Sequence, residues 1–93
     1  MEFIYLEWFH NFPDEPIKIF SEIDKDRYET RKVEIFRDGT YGYAYLNIEF
    51  GKTGLGKIPF PENLDEINSD TQFKAIEITK QEFEEVWKKF VNQ

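Results

Sequence analysis

Hydrophobic and polar positions alternate along the first half of the chain with the period of two that is typical of strands. Residues 2–10 carry apolar side chains on both faces, which indicates a central strand. Prolines and polar residues in the stretch 11–16 interrupt the pattern and predict a turn. The pattern predicts three more strands, at residues 17–23, 28–37 and 40–50.

Short connections join these strands. A polar turn at residues 24–26 separates the second from the third, and Asp38-Gly39 is a strong signal for a two-residue type I′ hairpin between the third and the fourth. Sequential strands with such short connections predict an antiparallel meander.

The second half of the chain has weaker signals. Residues 51–61 form a loop rich in glycine and proline, and the acidic residues 62–70 have room for one helical turn. Residues 72–78 alternate weakly and predict a short edge strand.

The clearest element is a C-terminal helix. Thr79 and Glu82 have the spacing of a capping box, in which each side chain binds the backbone amide of the other residue. The apolar residues that follow fall on one helical stripe: Phe83, Val86, Trp87, Phe90 and Val91. The chain therefore predicts one α+β domain over residues 1–93, in which an antiparallel meander of four to five strands is packed on one face by this amphipathic helix.

The fourth strand leaves open which face the helix covers. We expect the helix to lie over Gly42 and Ala44, because small residues let a helix approach closely and Trp87 can fill the space they leave. The rest of that layer is predicted to be Ile4, Leu6, Trp8, Val33 and Ile35. The opposite face then carries a row of partly exposed tyrosines, which either pair across strands or bind a partner: Tyr41, Tyr43 and Tyr45.

Composition narrows the class of function. At 93 residues, 40% hydrophobic and without cysteine, the chain predicts an ordered domain with no disulfide. Its net charge of −7 argues against binding to nucleic acid or anionic membranes, since both require excess lysine and arginine. The same charge favours a basic protein as the partner. The N-terminal sequence lacks the basic leader of a signal peptide, so we expect a cytoplasmic protein.

Four acids between the loop and the last strand have no evident role in the helix: Glu62, Asp65, Glu66 and Asp70. They form either a solvated acidic loop or a surface that copies the charge of a nucleic-acid backbone and occupies a basic cleft.

An enzymatic alternative rests on His10, the single histidine. Together with Glu22 and Arg31 it has the residue types of a small hydrolase that cleaves phosphodiesters. A histidine that is simply hydrogen-bonded at a strand end is the plainer interpretation. One histidine and no calcium-loop spacing predict no metal site, and no motif predicts a cofactor.

Motifs spread over nearly the whole chain resemble a family of small, acidic, stand-alone bacterial domains of unknown function. The segments that carry the resemblance are residues 8–10 (WFH), 14–16 (DEP), 31–39 (RKVEIFRDG), 66–70 (EINSD) and 82–87 (EFEEVW). Domains of this size and charge are similar to the immunity proteins of bacterial toxin systems, which bind and block a cognate toxin.

The leading hypothesis is therefore a non-enzymatic, immunity-type inhibitor of a basic toxin such as a nuclease. The acids at residues 62–70 would steer association, and either Tyr41, Tyr43 and Tyr45 or the loop at residues 51–57 would be buried against the partner. Besides the hydrolase, a regulatory or structural module that self-associates stays open. In solution we expect a monomer or a weak dimer.

Overall fold

The computed structural model describes residues 1–91, which form one antiparallel sheet and two helices. The elements are β1 Glu2–Trp8, β2 Pro16–Ile23, β3 Glu29–Phe36, β4 Tyr41–Tyr45, β5 Ile48–Phe50, α1 Asp65–Asn68, β6 Phe73–Ile78 and α2 Lys80–Phe90. The strand order within these residues is β5-β4-β3-β2-β1-β6. The α+β class is confirmed, with six strands instead of four to five; residues 92–93 of the predicted domain lie outside the described residues.

The weaker predictions for the second half of the chain are confirmed as elements. The helical turn is α1, and the edge strand is β6, which pairs with β1 so that Ala75 lies opposite Leu6. Neither helix within residues 1–91 is long and apolar enough to cross a membrane.

The additional strand arises because the predicted strand 40–50 folds back on itself. Tyr45 pairs with Ile48, so Leu46 and Asn47 form the turn between β4 and β5. Leu46 has a φ of 52°, and its side chain is 83% exposed. Leucine is an uncommon residue in the left-handed region, which is why the sequence pattern gave no turn signal here.

The loop of the hairpin between β3 and β4 is one residue longer than predicted. A two-residue type I′ turn would pair Arg37 with Thr40 and would need a positive φ at both Asp38 and Gly39. Of these two, Gly39 has a positive φ, 88°, and Asp38 does not. The amide of Phe36 donates to the carbonyl of Thr40 at 2.8 Å, so the loop has three residues, 37–39, the pattern of a turn followed by a glycine bulge.

This single residue decides which side chains share a face. A shift of one residue in strand pairing moves every side chain of a strand to the other face. In the observed register Val33 lies opposite Tyr43 and Ile35 lies opposite Tyr41. The prediction that Val33 and Ile35 share a layer with Gly42 and Ala44 is therefore wrong.

The helix α2 accordingly packs on the tyrosine face, not over Gly42 and Ala44. The rings of Phe83 and Phe3 are 5.2 Å apart between centroids, those of Trp87 and Tyr45 are 5.3 Å apart, and those of Phe90 and Tyr41 are 5.0 Å apart. Val33 and Ile35 add apolar area to this face, which the apolar stripe of the amphipathic helix covers. The predicted capping box of α2 is confirmed, with both backbone–side-chain hydrogen bonds present.

The other face is covered by the loop after β5 and by α1. Its apolar core consists of Ile4, Leu6, Ile23 and Ala75, with Phe60, Leu64 and Ile67 among the side chains packed against it. The small residue Gly42 does admit a close neighbour, but that neighbour is Thr53 of the loop. Both faces of the sheet are therefore covered, each by a different segment.

Candidate functional site

The predicted acidic segment lies around α1, on the face of the sheet opposite the one that α2 covers. The four acids Glu62, Asp65, Glu66 and Asp70 are all exposed. The segment is fixed to the edge of the sheet by Asn68, whose side-chain amide donates to the carbonyl of Ala75 at 2.9 Å and accepts the Ala75 amide at 2.7 Å. These paired hydrogen bonds hold α1 in one position on β6.

A groove of about 390 Å³ lies between α1 and the end of the loop. Its apolar lining is Leu6, Pro59, Phe60, Pro61, Ile67 and Phe73. Glu66 and Asp70 also line it, and we call the whole feature the acid-rimmed groove. The arrangement offers apolar contact area next to two carboxylates, which suits a ligand with a cationic head and an apolar body.

Within residues 1–91 the charges of the acidic segment are not neutralised by ion pairs. Among residues 1–91, none of the four acids forms an ion pair, whereas several buried or half-buried acids elsewhere do. Asp70 uses one carboxylate oxygen to accept the amide of Gln72 at 2.9 Å, which leaves its other oxygen for a partner. The segment therefore presents uncompensated negative charge to solvent.

The tyrosine row is not the open platform that the sequence predicted. Tyr41, Tyr43 and Tyr45 are half-buried because α2 lies on their face. Trp87 makes T-shaped contacts with both Tyr43 and Tyr45, and its ring centroid lies 6.2 Å from that of Tyr43 and 5.3 Å from that of Tyr45. The acids and the tyrosines therefore lie on opposite faces of the sheet, and one flat partner surface cannot reach both.

Burial on the tyrosine face also affects ionisation. Loss of solvent, with a hydrogen bond to Glu7 and the charge of that carboxylate, raises the pKa of Tyr5 to about 12. The Tyr5 ring stacks at a tilt on Phe20, with centroids 4.8 Å apart. This phenol is a packed, protonated group and not a proton donor poised for chemistry near neutral pH.

Arg31 forms the most highly connected ionic site in the described chain. Its guanidinium donates two hydrogen bonds to Glu22, at 3.0 and 2.6 Å, and two to Glu84, at 3.0 and 2.8 Å. The same group lies 4.9 Å from the ring centroid of Phe83 and 5.0 Å from that of Trp87. Arg31 thus ties α2 to β2 and β3.

The ionisation of these groups follows from their contacts. The hydrogen bonds to Glu22 and then Glu84 raise the pKa of Arg31 above its ordinary value. Burial alone would raise the pKa of Glu22, but hydrogen bonds from Arg31 and Thr30 outweigh it and lower that pKa. The hydrogen bond from Arg31 likewise lowers the pKa of Glu84.

The structure does not bring His10 together with Glu22 and Arg31. Glu22 lies opposite Phe3 near the start of β1, whereas His10 follows the end of that strand, and the stretch of strand from Phe3 to Trp8 alone spans about 17 Å. The Phe12 amide donates to Nδ1 of His10 at 2.9 Å, so Nε2 carries the proton and donates to the carbonyl of Pro16 at 2.8 Å. Within residues 1–91 there is also no group of three or more His, Asp or Glu side chains that could hold a metal ion.

Sequence reasoning missed a buried polar cluster beneath the loop after β5. The Lys32 Nζ atom lies 3.1 Å from a carboxylate oxygen of Glu29 and 3.7 Å from one of Glu34. The Thr53 hydroxyl donates to the Glu34 carboxylate at 2.7 Å. Burial raises the pKa of Glu34, while the Thr53 hydrogen bond and the charge of Lys32 oppose that effect. The cluster holds the loop, since Glu29 also accepts the amide of Gly56 at 2.6 Å. Only the correct register of β3 could have revealed it.

The family described as "Domain of unknown function (DUF6881)" matches residues 2–92. No curated protein and no solved structure shows a significant match. The resemblance to a family of domains of unknown function is thereby confirmed, and the chain belongs to this family.

Proposed function

We propose that this member of the DUF6881 family is a non-enzymatic binding protein, an immunity-type inhibitor that blocks a basic bacterial toxin such as a nuclease. The observation that carries the proposal is the acid-rimmed groove, in which apolar lining and two acids without ion pairs within residues 1–91 lie side by side. Unpaired carboxylates and an apolar pocket are the two features that recognise a cationic protein surface.

The proposed mechanism has two steps. The acids of residues 62–70 attract a basic partner and raise the rate of encounter. A side chain of the partner is then buried in the acid-rimmed groove, which takes the role that the sequence suggested for Tyr41, Tyr43 and Tyr45. An inhibitor of this kind would act in the cytoplasm of the cell that makes the toxin.

Two observations favour this proposal over its rivals. Both ring nitrogens of His10 are engaged in hydrogen bonds, which disfavours a role as general base. Self-association through sheet edges is disfavoured because β5 has three residues, and Asn68 occupies the middle of the β6 edge.

The first experiment uses the protein encoded next to this chain. We expect it to be a toxin that the chain binds, and we expect co-expression of the chain to restore growth of cells that make the toxin. A neighbouring protein that is not toxic and does not bind the chain would overturn the immunity assignment.

A second measurement tests steering on that complex. The test variant carries Glu62→Gln, Asp65→Asn, Glu66→Gln and Asp70→Asn. The matched control neutralises four exposed acids elsewhere: Glu15, Asp26, Glu49 and Glu77. At low salt we expect association of the test variant to slow on the order of tenfold, with little change in the control. Equal effects of the two variants would contradict a role for the segment at residues 62–70.

A further inference from the structure

We infer that the acid-rimmed groove binds an arginine side chain of the partner, in preference to a lysine or an apolar residue. This inference rests on the proposed function and names the chemical group that the groove recognises. It follows from a comparison between two sites in the same chain.

The first site is that of Arg31. There the guanidinium lies over the rings of Phe83 and Trp87 and donates paired hydrogen bonds to two carboxylates. Planar contact with aromatic rings and forked hydrogen bonds to carboxylates are features that arginine combines and lysine does not.

The acid-rimmed groove offers the same kinds of group, and no cationic side chain of residues 1–91 lines it. Two aromatic side chains, Phe60 and Phe73, line it together with Glu66 and Asp70. The two acids are four residues apart: Glu66 lies in α1 and Asp70 follows the C-cap Ser69, whose backbone is helical, so their backbones are about 6 Å apart along the helical axis. A guanidinium can therefore donate to both carboxylates while its stem lies on the apolar lining.

The groove is formed before any partner arrives. Asn68 fixes α1 to β6, and the amide of Phe60 donates to the carbonyl of Arg27 at 2.8 Å. The Arg27 side chain also donates to the carbonyls of Phe60 and Pro61, at 3.3 and 3.0 Å. Both walls are thus held by hydrogen bonds, which reduces the entropy cost of binding.

The probes are three blocked amino acids: the Nα-acetyl N-methylamides of arginine, lysine and citrulline. Each is titrated into ¹⁵N-labelled chain, and the shifts of the Glu66, Asp70 and Phe73 amides are followed by NMR. We expect the arginine probe to bind at least about fivefold more tightly than lysine, which lacks the planar fork. Citrulline keeps the shape of arginine without its charge and should bind about tenfold more weakly than arginine.

Paired variants locate the site. Glu66→Gln with Asp70→Asn should weaken the arginine probe at least about tenfold. Glu49→Gln with Glu77→Gln removes the same charge from exposed acids on β5 and β6 that do not line the groove, and should change binding by less than about twofold. Equal binding of the lysine and arginine probes, or equal effects of the two variants, would overturn the inference.

The test separates this inference from the proposed function. If Glu66→Gln with Asp70→Asn weakens the complex with the toxin but the groove does not prefer the arginine probe, the inference fails and the proposed function stands. If the groove selects arginine but the chain binds no basic protein, the proposed function fails instead.

Discussion

Replacing Arg31 with methionine tests whether the ionic site between α2 and the sheet stabilises the fold. Methionine keeps an unbranched apolar stem against Phe83 and Trp87 but removes all four hydrogen bonds to Glu22 and Glu84. The Glu22 side chain is 11% exposed, so the variant leaves a nearly buried carboxylate without its cation.

The expected loss in the free energy of unfolding follows from how exposed the Glu22 and Glu84 side chains are. Breaking a buried ion pair by removing one partner costs about 3–5 kcal/mol, and the Glu84 pair, with 39% of that side chain exposed, adds at most about 1 kcal/mol. Since Glu22 keeps its hydrogen bond from Thr30, we expect the lower end, a loss of about 3 kcal/mol in the free energy of unfolding. Urea denaturation at pH 7 measures it.

Two further variants identify the cause of that loss. Adding Glu22→Gln to Arg31→Met should recover about 2 kcal/mol, because it removes the uncompensated charge. Glu22→Gln alone should destabilise the parent chain. Arg37→Met is the matched control, since the exposed Arg37 side chain bonds to the His10 carbonyl, and should cost less than about 1 kcal/mol.

The effect of pH has a defined sign. The pKa values of Glu22 and Glu84 are lowered in the folded chain, so their stabilising contribution is present above the unfolded pKa of about 4.3 and is lost as pH falls through the folded values. The stability difference between the parent chain and Arg31→Met should therefore narrow between pH 7 and pH 3. A constant difference, or a loss no larger than that of Arg37→Met, would refute the reasoning.

Three further predictions concern the loop, the buried cluster and the last helix. Gly42→Ala should lower the free energy of unfolding by about 3 kcal/mol, because the new methyl group would overlap Thr53 and approach the backbone carbonyl of Phe50 at 2.9 Å. A loss of less than about 1 kcal/mol in urea denaturation would contradict this packing. Burial raises the pKa of Glu34, so the parent chain should lose stability relative to Glu34→Gln as pH rises above about 4.3. Thermal melting of both chains measures this, and a difference in melting temperature that does not change with pH would contradict the burial of this carboxylate. Thr79→Ala should lower the free energy of unfolding by about 1 kcal/mol in urea denaturation, and Thr79→Ser should lower it much less, because serine keeps the capping oxygen. Equal losses for the two variants would exclude the capping hydrogen bond as the cause.

Elements with strong local signals could be predicted from the sequence. The helix α2 has a capping box and an apolar stripe, and both are determined by residues within three turns of each other. The acids around α1 could likewise be recognised as unexplained charge before their position was known. The groove beside them could not, because its lining joins Leu6 of β1 to Phe60 and Phe73, which are far apart in the chain.

The faces of the sheet could not be predicted, for a reason confined to one hairpin. Asp38-Gly39 suits both a two-residue type I′ turn and the longer loop in which Gly39 alone has a positive φ. These alternatives differ by one residue in register and so exchange the faces of β3 relative to β4. The turn after Tyr45 was missed for a related reason, since Leu46 adopts a conformation that its residue type rarely takes.

The distribution of charge favours the acid-rimmed groove over the net charge as the basis of partner recognition. Residues 62–70 carry four acids and no basic residue, so more than half of the net charge of −7 belongs to this segment. At physiological salt, exposed charges are screened beyond about 8 Å, so acids on other parts of the surface contribute little to the potential at the groove. Acids elsewhere, such as Glu22 and Glu34, are also engaged by Arg31 and Lys32. A basic partner would therefore respond to the local charge at residues 62–70, where an apolar groove adjoins it.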